Sequence, residues 1–103
     1  MAYRVRITES ADRDLEEIIA YIAIKLANPK AATDFVTALE ERYTTLEDHP
    51  LMYELSQNDR LSEQGYHRFV VGSYIVLYLV DEEQQVVNIA RVIYGRRNYE
   101  KII

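Results

Sequence analysis

The sequence predicts an α+β fold of order β-α-α-β-β-β, with an N-terminal strand and a helical hairpin packed on an antiparallel sheet. Three patterns carry that expectation. Tyr3, Val5 and Ile7 alternate with Arg4, Arg6 and Thr8, the two-residue period of a strand with one buried face. Two stretches between Ala11 and Leu46 repeat apolar residues at three- and four-residue spacing, the period of helices that rest on a sheet. From Gly65 to Tyr94, apolar runs alternate with short polar turns, as in a β-meander.

The first strand covers Ala2 to Thr8. Thr8 or Ser10 then caps a helix whose stripe is Ala11, Leu15, Ile18, Ile19, Ile22 and Leu26, running to about Leu26. Asn28-Pro29 stops this helix and starts the next, because Asn caps and Pro at the first helical position loses no needed hydrogen bond. The second helix carries Ala32, Phe35, Leu39, Tyr43 and Leu46 on one face and ends at His49-Pro50. No period holds from Leu51 to Gln64, where Ser56-Gln57-Asn58-Asp59 and Ser62-Glu63-Gln64 mark an exposed connection with a short extended piece near Tyr53 to Leu55. Strands follow at Gly65 to Val71, Tyr74 to Asp81 and Gln85 to Tyr94, turned by Gly72-Ser73 and by Asp81 to Gln84. Tyr74 to Val80 is apolar throughout, which predicts a central strand covered on both faces.

The 103 residues suit one compact domain spanning 1–103 and one core. No apolar run approaches a membrane span, and the N-terminus alternates instead of building a signal-peptide core, so a cytoplasmic location without membrane contact is expected. The absence of cysteine excludes disulfides and thiolate chemistry, and suits a reducing compartment. A net charge of -5 argues against a generic or direct sequence-specific nucleic-acid binder, since phosphate affinity comes mainly from Lys and Arg displacing counterions. That charge is unevenly placed. Glu9, Asp12, Asp14, Glu16 and Glu17 cluster around Arg13 and read as a solvated helix face, whereas Arg91, Arg96, Arg97 and Lys101 make the C-terminal end basic. His49 and His67 are the only histidines and the chain has 3 glycines, so neither a metal site nor a phosphate-cradling loop is expected, and no cofactor.

Individual residues carry narrower expectations. Arg91, set among Val86, Val87, Ile89, Val92 and Ile93, either pairs with a carboxylate across the sheet or lines a groove, and the ion pair is the favoured role. His67 and Arg68 point to opposite faces of their strand, so at most one serves any given site. His67 reads as an exposed edge-strand side chain, and Arg68, sharing a face with Tyr66 and Val70, is the better candidate. Tyr66, Tyr74 and Tyr78 read as amphipathic residues at the rim of the core. Gly95 is expected to release the chain from the sheet through its backbone freedom. Beyond it, Arg96, Arg97 and Tyr99 form a contact patch for carboxylates, phosphates or carbonyls.

The segments Gly65-Tyr66-His67-Arg68-Phe69, Val71-Gly72-Ser73-Tyr74-Ile75-Val76-Leu77-Tyr78 and Ile89-Ala90-Arg91-Val92-Ile93-Tyr94-Gly95-Arg96-Arg97 follow a strand and a helical hairpin. Together they resemble the RelE/ParE superfamily of toxins from bacterial type II toxin-antitoxin modules, over nearly the whole chain and closest to the ParE branch. That branch commonly closes with Arg-Val-x-His-Gly-Arg-Arg, and this sequence has Tyr94 at the histidine. For a ParE-like toxin the resemblance implies plasmid stabilisation and inhibition of DNA gyrase by protein contact, without chemistry of its own, through Arg96, Arg97, Tyr99 and Arg68. For a RelE-like toxin it implies a ribosome-dependent mRNA endonuclease, an mRNA interferase, with Arg68, Arg97, Tyr99 and His67 as the reactive cluster. Against the second reading, Ile75 stands where those nucleases carry a strand arginine, and Lys25, Lys30 and Lys101 lie off the sheet. A third reading is an inactive homologue that only binds an antitoxin. The resemblance also implies a cognate antitoxin, ParD-like or RelB-like, landing on Tyr21, Ala23 and Ile24, which lie off the main stripe of the first helix.

Overall fold

In the computed structural model, which describes residues 2–95, the α+β order is as the sequence predicts, with one helix added. The elements are β1 (Arg4–Ile7), α1 (Glu9–Ala20), a π-helical turn (Tyr21–Lys25), α2 (Pro29–Asp48), α3 (Asp59–Glu63), β2 (His67–Val71), β3 (Tyr74–Asp81) and β4 (Val86–Tyr94). They build a four-stranded sheet of order β1-β4-β3-β2. The meander is antiparallel, but β1 joins it parallel to β4, from Arg4 opposite Val86 to Ile7 opposite Ile89. The helical hairpin carries the chain across the sheet, so the meander is laid down from the far edge and its last strand closes beside the first.

Thr8 sets both ends of this arrangement. Its hydroxyl accepts from the Ala11 backbone N–H at 3.2 Å, capping α1, and donates to the Ile89 carbonyl at 2.8 Å, tying the helix start to β4. The first helix does not continue regularly to Leu26. It widens into the π-helical turn, in which Ile22 stays buried while Ile24 and Leu26 are exposed, and Ala27 at φ 50° ends it. The wider turn rotates Leu26 off the face that the periodicity assigned to the core. Asn28 then caps α2 through the Ala31 N–H at 3.1 Å, with Pro29 at the first helical position.

The connection from Leu51 to Gln64 is more ordered than its composition suggests. Asn58 accepts from the Leu61 N–H at 3.0 Å and starts α3, a single turn too short to show a period. Leu61 is fully buried, and with Ile75, Leu77 and Ile93 it forms a second core on the sheet face away from α1 and α2. The main core fills the opposite face, where Val76, Tyr78, Val87 and Val92 meet Ile18, Phe35 and Leu39. β3 is therefore covered on both faces, as its sequence predicts. Tyr78 is at 0% exposure, inside the core instead of at its rim, because β3 is central and Tyr53, His67 and Phe69 pack around its ring.

Two glycines work in different ways. Gly72, at φ 58°, supplies the left-handed position of the tight β2–β3 turn. Gly95 does not lie in that region. Its N–H donates to the Ser73 carbonyl at 2.8 Å, and a Cβ there would sit 3.2 Å from the same oxygen, so close approach rather than backbone freedom favours glycine.

Asp14 is the exception in the acidic first helix. Its carboxylate receives Arg91 Nε at 2.7 Å, Arg91 Nη2 at 2.9 Å and the Val92 backbone N–H at 2.9 Å. The Asp14 and Arg91 side chains are 12% and 21% exposed, so this pair is largely removed from water. The hydrogen bond to Asp14 holds the Arg91 pKa above its ordinary value. Asp14→Ala, which removes the carboxylate that Arg91 and the Val92 N–H share, should cost about 3 kcal/mol in urea unfolding. Asp14→Asn, which keeps one acceptor oxygen, should cost less.

Two buried phenols set an alkaline limit. Burial pushes Tyr43 and Tyr78 up from 10.0 to about 12, against a smaller lowering of Tyr78 by the Tyr53 backbone, and the Tyr43 hydroxyl has no hydrogen-bond partner among the described residues. A raised phenol gives stability that is complete below pH 10 and lost as pH climbs through the folded value. Unfolding followed by circular dichroism should therefore set in between pH 10 and about 12. The Tyr43→Phe, Tyr78→Phe double variant should hold to higher pH and change neutral-pH stability by no more than about 1 kcal/mol.

Candidate functional site

Two concave regions of the described surface hold candidate residues. The larger, about 990 Å³, lies between α1, the π-helical turn and α2 on one side and the β2–β3 turn with Tyr94 on the other. Its lining is mostly apolar, with Glu17 and Asp34 as its charged members. Aromatic rings run along it: Phe35 lies 5.2 Å from Tyr74, and Tyr74 lies 5.9 Å from Tyr94. Burial, with further contributions from Tyr21 and Tyr94, raises the Tyr74 pKa above its ordinary value.

Of the candidates, Tyr21 lines this groove at its helical end and Ile24 does not; they are exposed by 49% and 79%, against 8% for Ile22 between them. Ala23 is separated from them and packs against the main core. Leu26 and Tyr94, which the sequence reading did not select, extend the exposed apolar surface at 55% and 43%. Both were hidden by periodicity: Leu26 was assigned to the core stripe, and Tyr94 reads locally as the last residue of a strand.

The smaller region, about 410 Å³, follows the outer edge of β2 and is lined by Arg42, Met52, Glu54, Arg68 and Val70 among others. Residues 54–56 cover the start of this edge, with Glu54 accepting from the Arg68 N–H at 3.0 Å and Leu55 bridging His67. Arg68 Nη1 approaches Glu54 at 3.9 Å, while its buried Nε has no partner among the described residues. Arg42 joins from α2, donating to Tyr53 Oη at 3.3 Å and lying 5.3 Å from the Phe69 ring centre. The sequence reading did not select Arg42, since nothing local separates it from the other charges of its helix.

His67 is not an exposed edge side chain. Its Nδ1 lies 2.8 Å from the Tyr53 carbonyl, and its ring stacks on Tyr78 at 5.2 Å, because the 53–56 segment folds over this edge. His67 faces the main core and Arg68 the other side, so the two do not converge. Ile75, where the nuclease branch would place an arginine, is buried in the second core. Arg96, Arg97 and Tyr99 lie outside the described residues. Among the described residues no group of acids, histidines or cysteines is disposed to hold a metal, and no helix is long and apolar enough to cross a membrane.

This sheet order, with a helical hairpin across one face and an apolar groove at its end, places the chain in the RelE/ParE superfamily fold. The chain belongs to the ParE toxin family of type II toxin-antitoxin systems, parDE, whose family model matches residues 5–99. It is therefore the toxin component of such a system. No curated protein sequence matches significantly. Among solved structures, the toxin-antitoxin complex RelBE2 from Mycobacterium tuberculosis is similar at 26% identity and a TM-score of 0.63, over 91% of this chain and 99% of that one. The chromosomal ParDE system from P. aeruginosa shares the fold at 16% identity and a TM-score of 0.69, over 90% and 96% of the two chains. The archaeal RelE-RelB complex from Pyrococcus horikoshii OT3 does so at 24% identity and a TM-score of 0.60, over 94% and 99%.

The Arg68 guanidinium contributes little to the fold. Its long contact to an exposed glutamate adds little, and its unpartnered Nε opposes burial. Arg68→Ala should cost no more than about 1 kcal/mol in thermal unfolding while weakening growth arrest on induced expression.

Proposed function

We propose that this toxin acts as a ParE-type inhibitor of DNA gyrase through protein contact. Arg96, Arg97, Tyr99 and Arg68 provide the contact surface, and the toxin does no chemistry of its own. The observation that supports this most directly is what fills the sheet where a nuclease would need its reactive cluster. Transesterification at a ribose 2′-hydroxyl needs a base, an acid and cationic stabilisation within reach of one phosphate. Here Ile75, Leu77 and Ile93 pack beneath Leu61, and His67 is turned to the other face and engaged by the Tyr53 carbonyl. A net charge of -5 likewise suits a protein partner better than ribosomal RNA.

The proposed neutralising partner is a small antitoxin, ParD-like or RelB-like, that docks on the exposed apolar surface of Tyr21, Ile24 and Leu26 beside the groove. The similar solved structures named above are toxin-antitoxin complexes, which supports a partner of this kind. Ala23 contributes by setting the π-helical turn against the core rather than by direct contact.

Purified toxin should block gyrase supercoiling and leave labelled mRNA intact on programmed ribosomes. Cleavage of that mRNA in the ribosomal A site would replace the gyrase reading with the mRNA interferase one, and inactivity in both assays would favour a homologue that only binds an antitoxin. The Arg96→Ala, Arg97→Ala double variant should need about tenfold more protein for half-inhibition of gyrase. Unchanged potency would reduce these arginines to solubilising charge.

A further inference from the structure

We propose that the groove between the helical hairpin and the β2–β3 turn selects a cationic helix. The antitoxin segment that fills it carries a Lys or Arg at the border of its apolar face, held by Glu17 and Asp34 and by the tyrosine rings. This rests on the reading that the antitoxin docks on the hairpin face, and it adds what that segment must carry.

The charged side chains that line the groove are both acids, Glu17 from α1 and Asp34 from α2, and both are exposed. Asp34 meets Lys30 through Oδ2 at 2.8 Å. That exposed pair, one turn apart on α2, contributes little and leaves Oδ1 available to a second cation. Glu17 has no hydrogen bond or ion pair among the described residues. The cation it influences, Arg91, is already chelated by Asp14.

The walls between the two acids add a second attraction. Tyr21, Phe35, Tyr74 and Tyr94 all line the groove, and the last three form a continuous row of ring contacts. Aromatic faces attract ammonium and guanidinium groups, more strongly as water is excluded. An apolar groove alone would accept any amphipathic helix. With carboxylates beside it, the same groove repels helices whose apolar face is bordered by Asp or Glu, so charge supplies discrimination that burial cannot. The chain's net charge of -5 draws a basic segment from a distance in the same sense.

The probe is a displayed library of amphipathic helices, apolar on one face and randomised at the flanking positions, selected on the full chain. Helices that need the groove are recognised by loss of binding to a Tyr21→Asp, Leu26→Asp variant. Those helices should be enriched in Lys and Arg at the flanks. They should bind a Glu17→Gln, Asp34→Asn variant at least ~10-fold more weakly, a difference that shrinks with added salt. All four substitutions alter exposed side chains, so unchanged thermal midpoints separate lost binding from lost folding. Groove-dependent helices without basic enrichment, or with the same affinity for the Gln/Asn variant, overturn the cation requirement and leave the docking reading standing. A library that yields no binder, or only helices indifferent to the Tyr21→Asp, Leu26→Asp change, sinks the docking reading and this proposal with it.

Discussion

The three hydrogen bonds received by the Asp14 carboxylate are the constraint on which the rest of the architecture depends. β1 has 4 residues and β4 has 9, so β4 runs past its parallel neighbour from Ile89 onward. Backbone groups along that unpaired edge must find partners or remain in water. Thr8 takes the carbonyls of Ile89 and Ala90, and Asp14 takes the Val92 N–H, so the first turns of α1 serve as a substitute strand. Arg91 then balances the charge that this substitution brings into the structure. The clamp fixes the direction of α1 relative to the sheet, and with it everything the first helix carries.

That direction decides where surface is left over. α1 crosses beside β4, α2 returns over the main core, and the β2–β3 turn with Val71 to Tyr74 forms the far wall of the groove. The π-helical turn occurs at the same end. Its extra width turns Ile24 and Leu26 outward at the point where a regular helix would have turned one of them in. An apolar surface of this kind on a chain with 28% charged residues is costly to leave in water, which is why a partner is the economical explanation for it.

Most of the fold was legible because period and punctuation agree. β3 has the ends its apolar run and flanking turns predict, and α2 begins at the Asn28-Pro29 pair that marks it. Features that depend on residues distant in sequence were not legible. Asp14 looks like any acid on a solvated helix face until β4 arrives beside it, 77 positions later. α3 is a single turn, too short for periodicity, although Asn58 followed by an isolated Leu61 was a usable cap-and-anchor signal. The candidate site divides in the same way. Alternation separates His67 from Arg68 correctly, yet nothing local brings Glu17, Asp34, Tyr74 and Tyr94 to one groove, since they come from four different elements.

The two concave regions differ in what their chemistry can do. At the β2 edge, Arg42 is spread over Tyr53 and Phe69, and Arg68 reaches toward Glu54. A guanidinium suits recognition of a carboxylate or carbonyl better than proton transfer, because arginine stays charged at any working pH. At the hairpin groove the sign is reversed, with carboxylates and ring faces outward. A chain with a basic edge and an acidic groove can engage two partners of opposite character without one excluding the other by charge. For a toxin this separation matters: a segment that fills the groove need not cover Arg68. The groove ends at Val71 and the β2–β3 turn, while Arg68 and Val70 line the other region, so the length of a bound segment, as well as its affinity, decides whether the Arg68 edge is covered or left exposed.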